Sequence, residues 1–216
     1  MEVYASEQEQ VEAIKEWWKE NGRAVILGVA LALAAVFGWK TWQNHVRTQA
    51  TLASNDYQML LDNLNAGDTR QVTEMGRRIV GDFPNTVYAV LASLSMAQQA
   101  VDQNDLDGAA AHLRWAAEHS KLPELKALAR VRLARLLIAQ GKSDAALQEL
   151  AGEKLASFTA LADETRGDAY LQQGKRSEAY KAYNDALAGY ADVPSKQQLL
   201  RMKIDDLADA AGAAKQ

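Results

Sequence analysis

His45, His112 and His119 are the chain's three histidines, and it has no cysteine. Nucleophilic catalysis or transition-metal binding would draw first on these residue types. His112 and His119 are seven residues apart. On one helix they share a face but sit about 10 Å apart along it, too far to hold one metal without further ligands. A surface or packing role is expected for both. His45 lies just beyond a long apolar run, where an interfacial residue is expected. Asp102, Asp105 and Asp107 cluster at one turn, but without the glycine and terminal glutamate of a calcium loop. There is no Gly-x-Ser-x-Gly, no phosphate-binding glycine loop and no His-Glu-x-x-His. No catalytic residue, metal ligand set or cofactor site emerges, so the expectation is a binding protein rather than an enzyme. The missing cysteine also excludes disulfides, thiolate chemistry and a lipobox-type lipid anchor, while leaving the redox compartment open.

Basic residues are the next candidates for recognition chemistry. Lys126, Arg130, Arg132 and Arg135 gather on one segment. Either they are a solvated helix face answered by nearby acids, or Arg132 and Arg135 face a partner. The whole chain carries 28 acidic and 24 basic side chains, a net charge of -4. That balance argues against a nucleic-acid partner.

The elements that position these residues read as all-α. Alanine and leucine are abundant, and there are only 3 prolines. Ala24 to Trp39 is an uncharged run of 16 residues bracketed by Arg23 and Lys40. As a helix it is about 24 Å long. Snorkelling of the flanking cations and interfacial placement of Trp39 and Trp42 extend it to a full bilayer crossing. Residues 22–42 are expected to form one transmembrane helix. It would separate a cytoplasmic amphipathic tail, 1–21, from a periplasmic domain, 43–216. Lys15, Lys19 and Arg23 precede the run, against Lys40 and Arg47 after it, which favours the N-terminus inside. The alternative is a cleaved signal that releases a soluble periplasmic repeat scaffold for envelope or division machinery. A 23-residue leading segment with six acidic residues suits that poorly, and the Ala-x-Ala pairs lie inside the run itself. Ala30, Ala34 and Gly38 form a four-residue stripe of small residues for packing against another membrane helix. Val11, Ile14 and Trp18 make a second stripe in the tail. It is either an interface-lying helix or a plain extension of the membrane helix.

After residue 48 the pattern becomes helix pair after helix pair. Gly141-Lys-Ser-Asp-Ala-Ala146 matches Gly174-Lys-Arg-Ser-Glu-Ala179. Asn104-Asp-Leu-Asp-Gly-Ala109 fits the same mould, and Gly67 opens a poorer copy. The turns fall at residues 67, 104, 141 and 174, spacings of 37, 37 and 33. A period near 34 with paired helices indicates a tetratricopeptide-type solenoid. Seven before the last three turns stand Ala97, Ala134 and Gly167; five after stand Ala109, Ala146 and Ala179. Nine after stand Leu113, Leu150 and Tyr183. Small residues at the first two sites let paired helices approach, and the large one fills space between pairs. The first copy has Leu60, Val72 and Gly76 there and reads as a non-repeat pair. Twelve after the turns, Ala116 and Ala186 are matched by Glu153 in the copy between them. Lys196–Leu207 reads as the helix that caps the stack. First helices of stacked pairs line a concave face, expected to include Leu91, Leu94, Gln98, Val101, Arg132, Arg135, Asp168 and Leu171. That mixture suits an extended polypeptide or a partner's helix.

Glu9-Gln-Val-Glu-Ala-Ile-Lys-Glu-Trp-Trp-Lys-Glu-Asn-Gly22, then the apolar run, then Gly38-Trp39-Lys-Thr-Trp42 resembles the YfgM family. Its members are tetratricopeptide-like ancillary subunits of the bacterial Sec translocon. The resemblance implies an inner-membrane protein with a cytoplasmic N-terminus and periplasmic repeats. It also implies association with the Sec translocon channel and with a membrane-anchored peptidyl-prolyl-isomerase-like chaperone. Other periplasmic chaperones and emerging client chains are further implied partners. It brings no catalytic residue to this sequence.

Overall fold

The computed structural model describes residues 7–151, 155 and 158–213, with side chains for 10–151, 155 and 158–207. The elements of a full turn or more among them are α-helices. The chain divides into two compact units, Met1–Gln49 and Ala50–Gln216. The first is the leading part of α1, Glu7–Ala66. Asn21-Gly22 does not end this helix. The Asn21 amide donates to the Trp17 carbonyl at 3.1 Å, and the Trp18 indole lies over Gly22. From Glu7 onward the helix thus runs without a break into the apolar run. Ile26, Leu27, Val29, Leu31, Leu33, Val36 and Phe37 are all exposed. A helix apolar on every side calls for an apolar surrounding phase. This one is long and apolar enough to cross a membrane.

The second unit takes the end of α1 and then α2 (Thr69–Asp82), α3 (Val87–Asp102), α4 (Leu106–His119), α5 (Pro123–Ala139), α6 (Ser143–Glu149), α7 (Thr159–Gln172), α8 (Arg176–Gly189) and α9 (Pro194–Ala213). One turn geometry makes each pair. Gly67, Gly141 and Gly174 have φ of 71°, 76° and 73°, and Asn104 has 60°. The left-handed region costs glycine nothing and asparagine little. In each turn the following N–H reaches back five residues: Asp68 to the Asn63 carbonyl, Asp105 to Ala100, Lys142 to Leu137 and Lys175 to Tyr170, all at 2.8–3.0 Å. These bonds satisfy carbonyls that a helix end leaves bare. Pro123 and Pro194 each open the following helix rather than merely stopping the previous one. A missing N–H is harmless at that position.

The small residues do what their spacing demands. Ala109, Ala134, Ala146 and Ala179 are fully buried, and Ala97 nearly so. A methyl group built on Gly167 would stand 2.3 Å from the Tyr183 ring of the paired helix. The first pair departs from the sequence expectation. It uses the same turn, and Leu60 and Val72 are buried at the equivalent sites. Gly76 replaces the large residue of the other copies, and the Met96 side chain of α3 fills the space it leaves. The pair is a size-swapped repeat. Glu153 lies outside the described residues.

A central core runs from Val90 on α3 to Ala162 on α7. A second cluster joins Leu60 to α2 and α3, and a third seats Leu200 and Leu207 of α9 against Ala179, Tyr183 and Ala186. The capping helix is longer than its sequence outline, but the same leucines anchor it.

Two glycine substitutions test this packing. Both sites are helical, so each exchange for alanine gains about 1 kcal/mol of helix propensity. Gly81→Ala, with open space around it, should raise the urea midpoint. Gly167→Ala must displace the Tyr183 ring, an overpacking cost of about 1–3 kcal/mol that offsets or exceeds the propensity gain, so its midpoint should fall below that of Gly81→Ala. Equal shifts would mean that the α7–α8 contact is looser than described.

Candidate partner-binding groove

The turns place α3 and α5 as first helices of neighbouring pairs, and an open cleft of about 380 Å³ lies between them. Leu94, Gln98 and Val101 come from α3, and Arg132, Arg135 and Leu136 from α5. Positions 94, 98 and 101 recur at three- and four-residue spacing, as do 132, 135 and 136, so each set shares a helix face. Five of the eight residues expected on a concave face therefore meet in one cleft. Leu94 is only 6% exposed and belongs to the central core, so it forms the floor. Val101, 40% exposed, stands on the rim. Gln98 donates to Asp102 at 3.0 Å.

The other three lie elsewhere. Leu91 is half-buried, and its carbonyl accepts from the Ser95 hydroxyl at 3.1 Å. Leu171 is exposed near the end of α7. Asp168 belongs to a charge network that joins α7, α8 and α9. It accepts from the Tyr183 hydroxyl at 2.8 Å and from Lys203 at 2.7 Å. Glu164, one turn earlier and 5% exposed, accepts from Lys203 at 3.4 Å, from Lys196 at 3.2 Å and from the Tyr190 hydroxyl at 3.4 Å. Lys203 also lies over the Tyr183 ring and Lys196 over the Tyr190 ring. A buried carboxylate is tolerated because two ammonium groups answer it. Sequence reasoning missed this network. The signal was Glu164 in the row that Leu94 and Val131 fill with leucine and valine: ten residues before the turn, a core position in the other copies.

A second missed feature stitches neighbouring repeats. Gln140 donates to Asp107 at 3.3 Å, and Gln173 donates to Asp144 at 2.9 Å. Each glutamine immediately precedes a turn glycine, and each aspartate follows the previous turn residue by three. The aspartates at the Asn104 turn thus have separate tasks. Asp105 caps α4 by accepting from the Gly108 N–H at 2.9 Å, Asp107 receives Gln140, and Asp102 receives Gln98.

His112 and His119 are engaged with their neighbours, while His45 is exposed on α1. His119 stacks on Trp115 with ring centroids 4.2 Å apart. Burial, then the Arg77 charge, holds His112 below the ordinary imidazole range, against a smaller pull from Asp105. Among the described residues no group of three His, Asp or Glu side chains is placed to hold a metal. In the first unit Ala30, Ala34 and Gly38 are exposed, and open space surrounds Gly38 where a neighbouring helix could approach. What the second unit offers chemically is recognition: an apolar floor with two guanidinium groups at its edge.

A family profile for a tetratricopeptide repeat-like domain matches residues 15–209. Over 208 residues the chain is 35% identical to the ancillary SecYEG translocon subunit of Escherichia coli K12, spanning 96% of this chain and 99% of that one. Its counterpart in Haemophilus influenzae is 30% identical over 206 residues, 95% of this chain and all of that one. The Neisseria gonorrhoeae protein of the same name is 30% identical over 208 residues, 96% of this chain and 100% of its own.

The charge network predicts an alkaline weakness. Burial, and then the Glu164 carboxylate, push the Tyr190 phenol up to about 12 from 10.0. Burial and Asp168 raise the Tyr183 phenol further. A raised phenol contributes stability that is intact below the unfolded value. The contribution is lost as pH climbs from 10 towards 12, because the unfolded chain sheds its proton first. Urea unfolding at a series of alkaline pH values should show that loss, and Tyr190→Phe should flatten it. A variant as steep as the parent would remove Tyr190 from this role.

Proposed function

This chain belongs to the tetratricopeptide repeat-like family of ancillary SecYEG translocon subunits, and on that premise we propose that it is a membrane-anchored adaptor of the Sec translocon. The observation that carries the reading is the extent of the match. It begins at residue 15 and takes in the apolar helix together with the helical pairs. That extent supports reading anchor and repeats as one arrangement. The helix holds the protein in the inner membrane, with Lys15, Lys19 and Arg23 on the cytoplasmic side. The repeats stand in the periplasm. There the groove engages a membrane-anchored peptidyl-prolyl-isomerase-like chaperone, other periplasmic chaperones or emerging client chains. Tethering supplies affinity by effective concentration, so each single contact can be weak and reversible. Ala30, Ala34 and Gly38 give the channel's own helices a face to pack against.

Affinity purification of the full chain from gently solubilised membranes should bring down the Sec channel and a chaperone of that kind. Replacing the apolar helix with an unrelated one should weaken the channel association. A chain that purifies with neither partner, or from the soluble fraction, would support the released scaffold instead.

Topology gives an independent check. Single cysteines at Glu12 and Asp192 would be treated with an impermeant thiol reagent in intact spheroplasts. Asp192→Cys should label and Glu12→Cys should not. The reverse pattern would place the repeats in the cytoplasm.

A further inference from the structure

We propose that the cleft between α3 and α5 binds an extended polypeptide segment that carries a carboxylate flanked by apolar side chains. This deepens the adaptor reading and rests on it. Three observations lead to the proposal. The first is shape. The cleft holds about 380 Å³, within the usual range of roughly 300–1,000 Å³ for ligand sites. Its floor is Leu94 and Leu136, and its rim includes the exposed Val101.

The second is uncompensated charge. Among the described residues, neither Arg132 nor Arg135 has a carboxylate within 4 Å. This stands out in a chain of net charge -4. The acids that could answer them are committed elsewhere. Gln98, Arg135 and Asp168 hold the same place in three successive first helices, six residues before each turn. Asp168 is held by Lys203 and Tyr183. Glu164 is held by Lys196 and Lys203, while Asp102 accepts a hydrogen bond from the neutral Gln98 amide. Among the described residues the two guanidinium groups therefore stand outside every ion pair.

The third is the kind of charge. Both cations are arginines, three residues apart on one face of α5, and exposed. Guanidinium groups pair with carboxylates in a planar, directional way that lysine does not reproduce. Over an apolar floor, such a pair selects an acidic residue with aliphatic or aromatic neighbours. An extended strand suits this, because its side chains alternate between floor and rim.

The test uses the full-length protein in mild detergent and three fluorescein-labelled decapeptides. Each carries leucine at alternate positions, with glutamate, glutamine or lysine between. Fluorescence anisotropy should show saturable binding of the glutamate peptide, weaker binding of the glutamine peptide and none of the lysine peptide. Binding should weaken as salt rises. Arg132→Glu with Arg135→Glu should lower affinity for the glutamate peptide by at least about tenfold, and Arg132→Gln with Arg135→Gln by less. Both arginines are exposed and, among the described residues, in no ion pair, so circular dichroism should show parental helicity. If the reversed pair fails to fold, the glutamine pair decides. The proposal is overturned if the glutamine or lysine peptide binds as tightly as the glutamate peptide. It is equally overturned if the folded variants bind like the parent. Channel co-purification is scored separately on the same variants. Channel association that persists while the parent protein itself binds none of the three peptides would reject this inference and leave the adaptor reading standing.

Discussion

Ala109, Ala146 and Ala179 lie fully buried in the second helix of their pairs, and the rest of the repeat domain depends on the contact they permit. A single helix pair cannot bury its apolar face alone, so stacking is obligatory. Stacking needs each pair to be thin, and thinness needs small side chains where the two helices meet. The left-handed residues at 67, 104, 141 and 174 reverse the chain tightly enough to bring those side chains together. Where the small residue shifts, its partner shifts with it. Gly167 admits Tyr183 within one pair, and Gly76 admits Met96 from the next. The sum of volumes is conserved rather than the identity at each site, as close-packed interiors require.

Much of this was legible from spacing, because turns and close contacts restrict residue type severely. Glycine or asparagine announces a positive φ, and alanine at a fixed offset announces a close approach. The size swap in the first pair was not legible, because its compensation comes from Met96 on another pair. The status of the cleft residues was only partly legible. Repeat register places Leu94 and Val101 on one face, but their burial depends on how deeply α5 seats against α3. Asp168 illustrates a further limit. Its register matches Arg135, yet a lysine 35 residues later on the capping helix claims it. Long-range ion pairs leave no periodic trace in sequence.

The closing end of the stack and its middle use different chemistry. The final pair is closed by α9 through leucines and through a buried carboxylate held between two lysines. Such a network is costly to form and costly to break, so it fixes one seating for the cap. The middle of the stack is apolar inside and keeps two guanidinium groups at the open edge. A membrane adaptor needs this division. Its scaffold must not rearrange when a partner arrives, and its recognition surface must remain unfilled until then.

In-cell photocrosslinking tests the central claim most directly, that anchor and groove serve one channel-associated adaptor. A photoreactive residue would replace Leu31, exposed in the middle of the apolar helix, or Val101, exposed at the rim of the cleft. The account predicts adducts with channel subunits from position 31, and adducts with periplasmic chaperones or translocating chains from position 101. Arrested secretion should increase the second set. Absence of channel adducts from position 31, with the protein intact in the membrane, would contradict it.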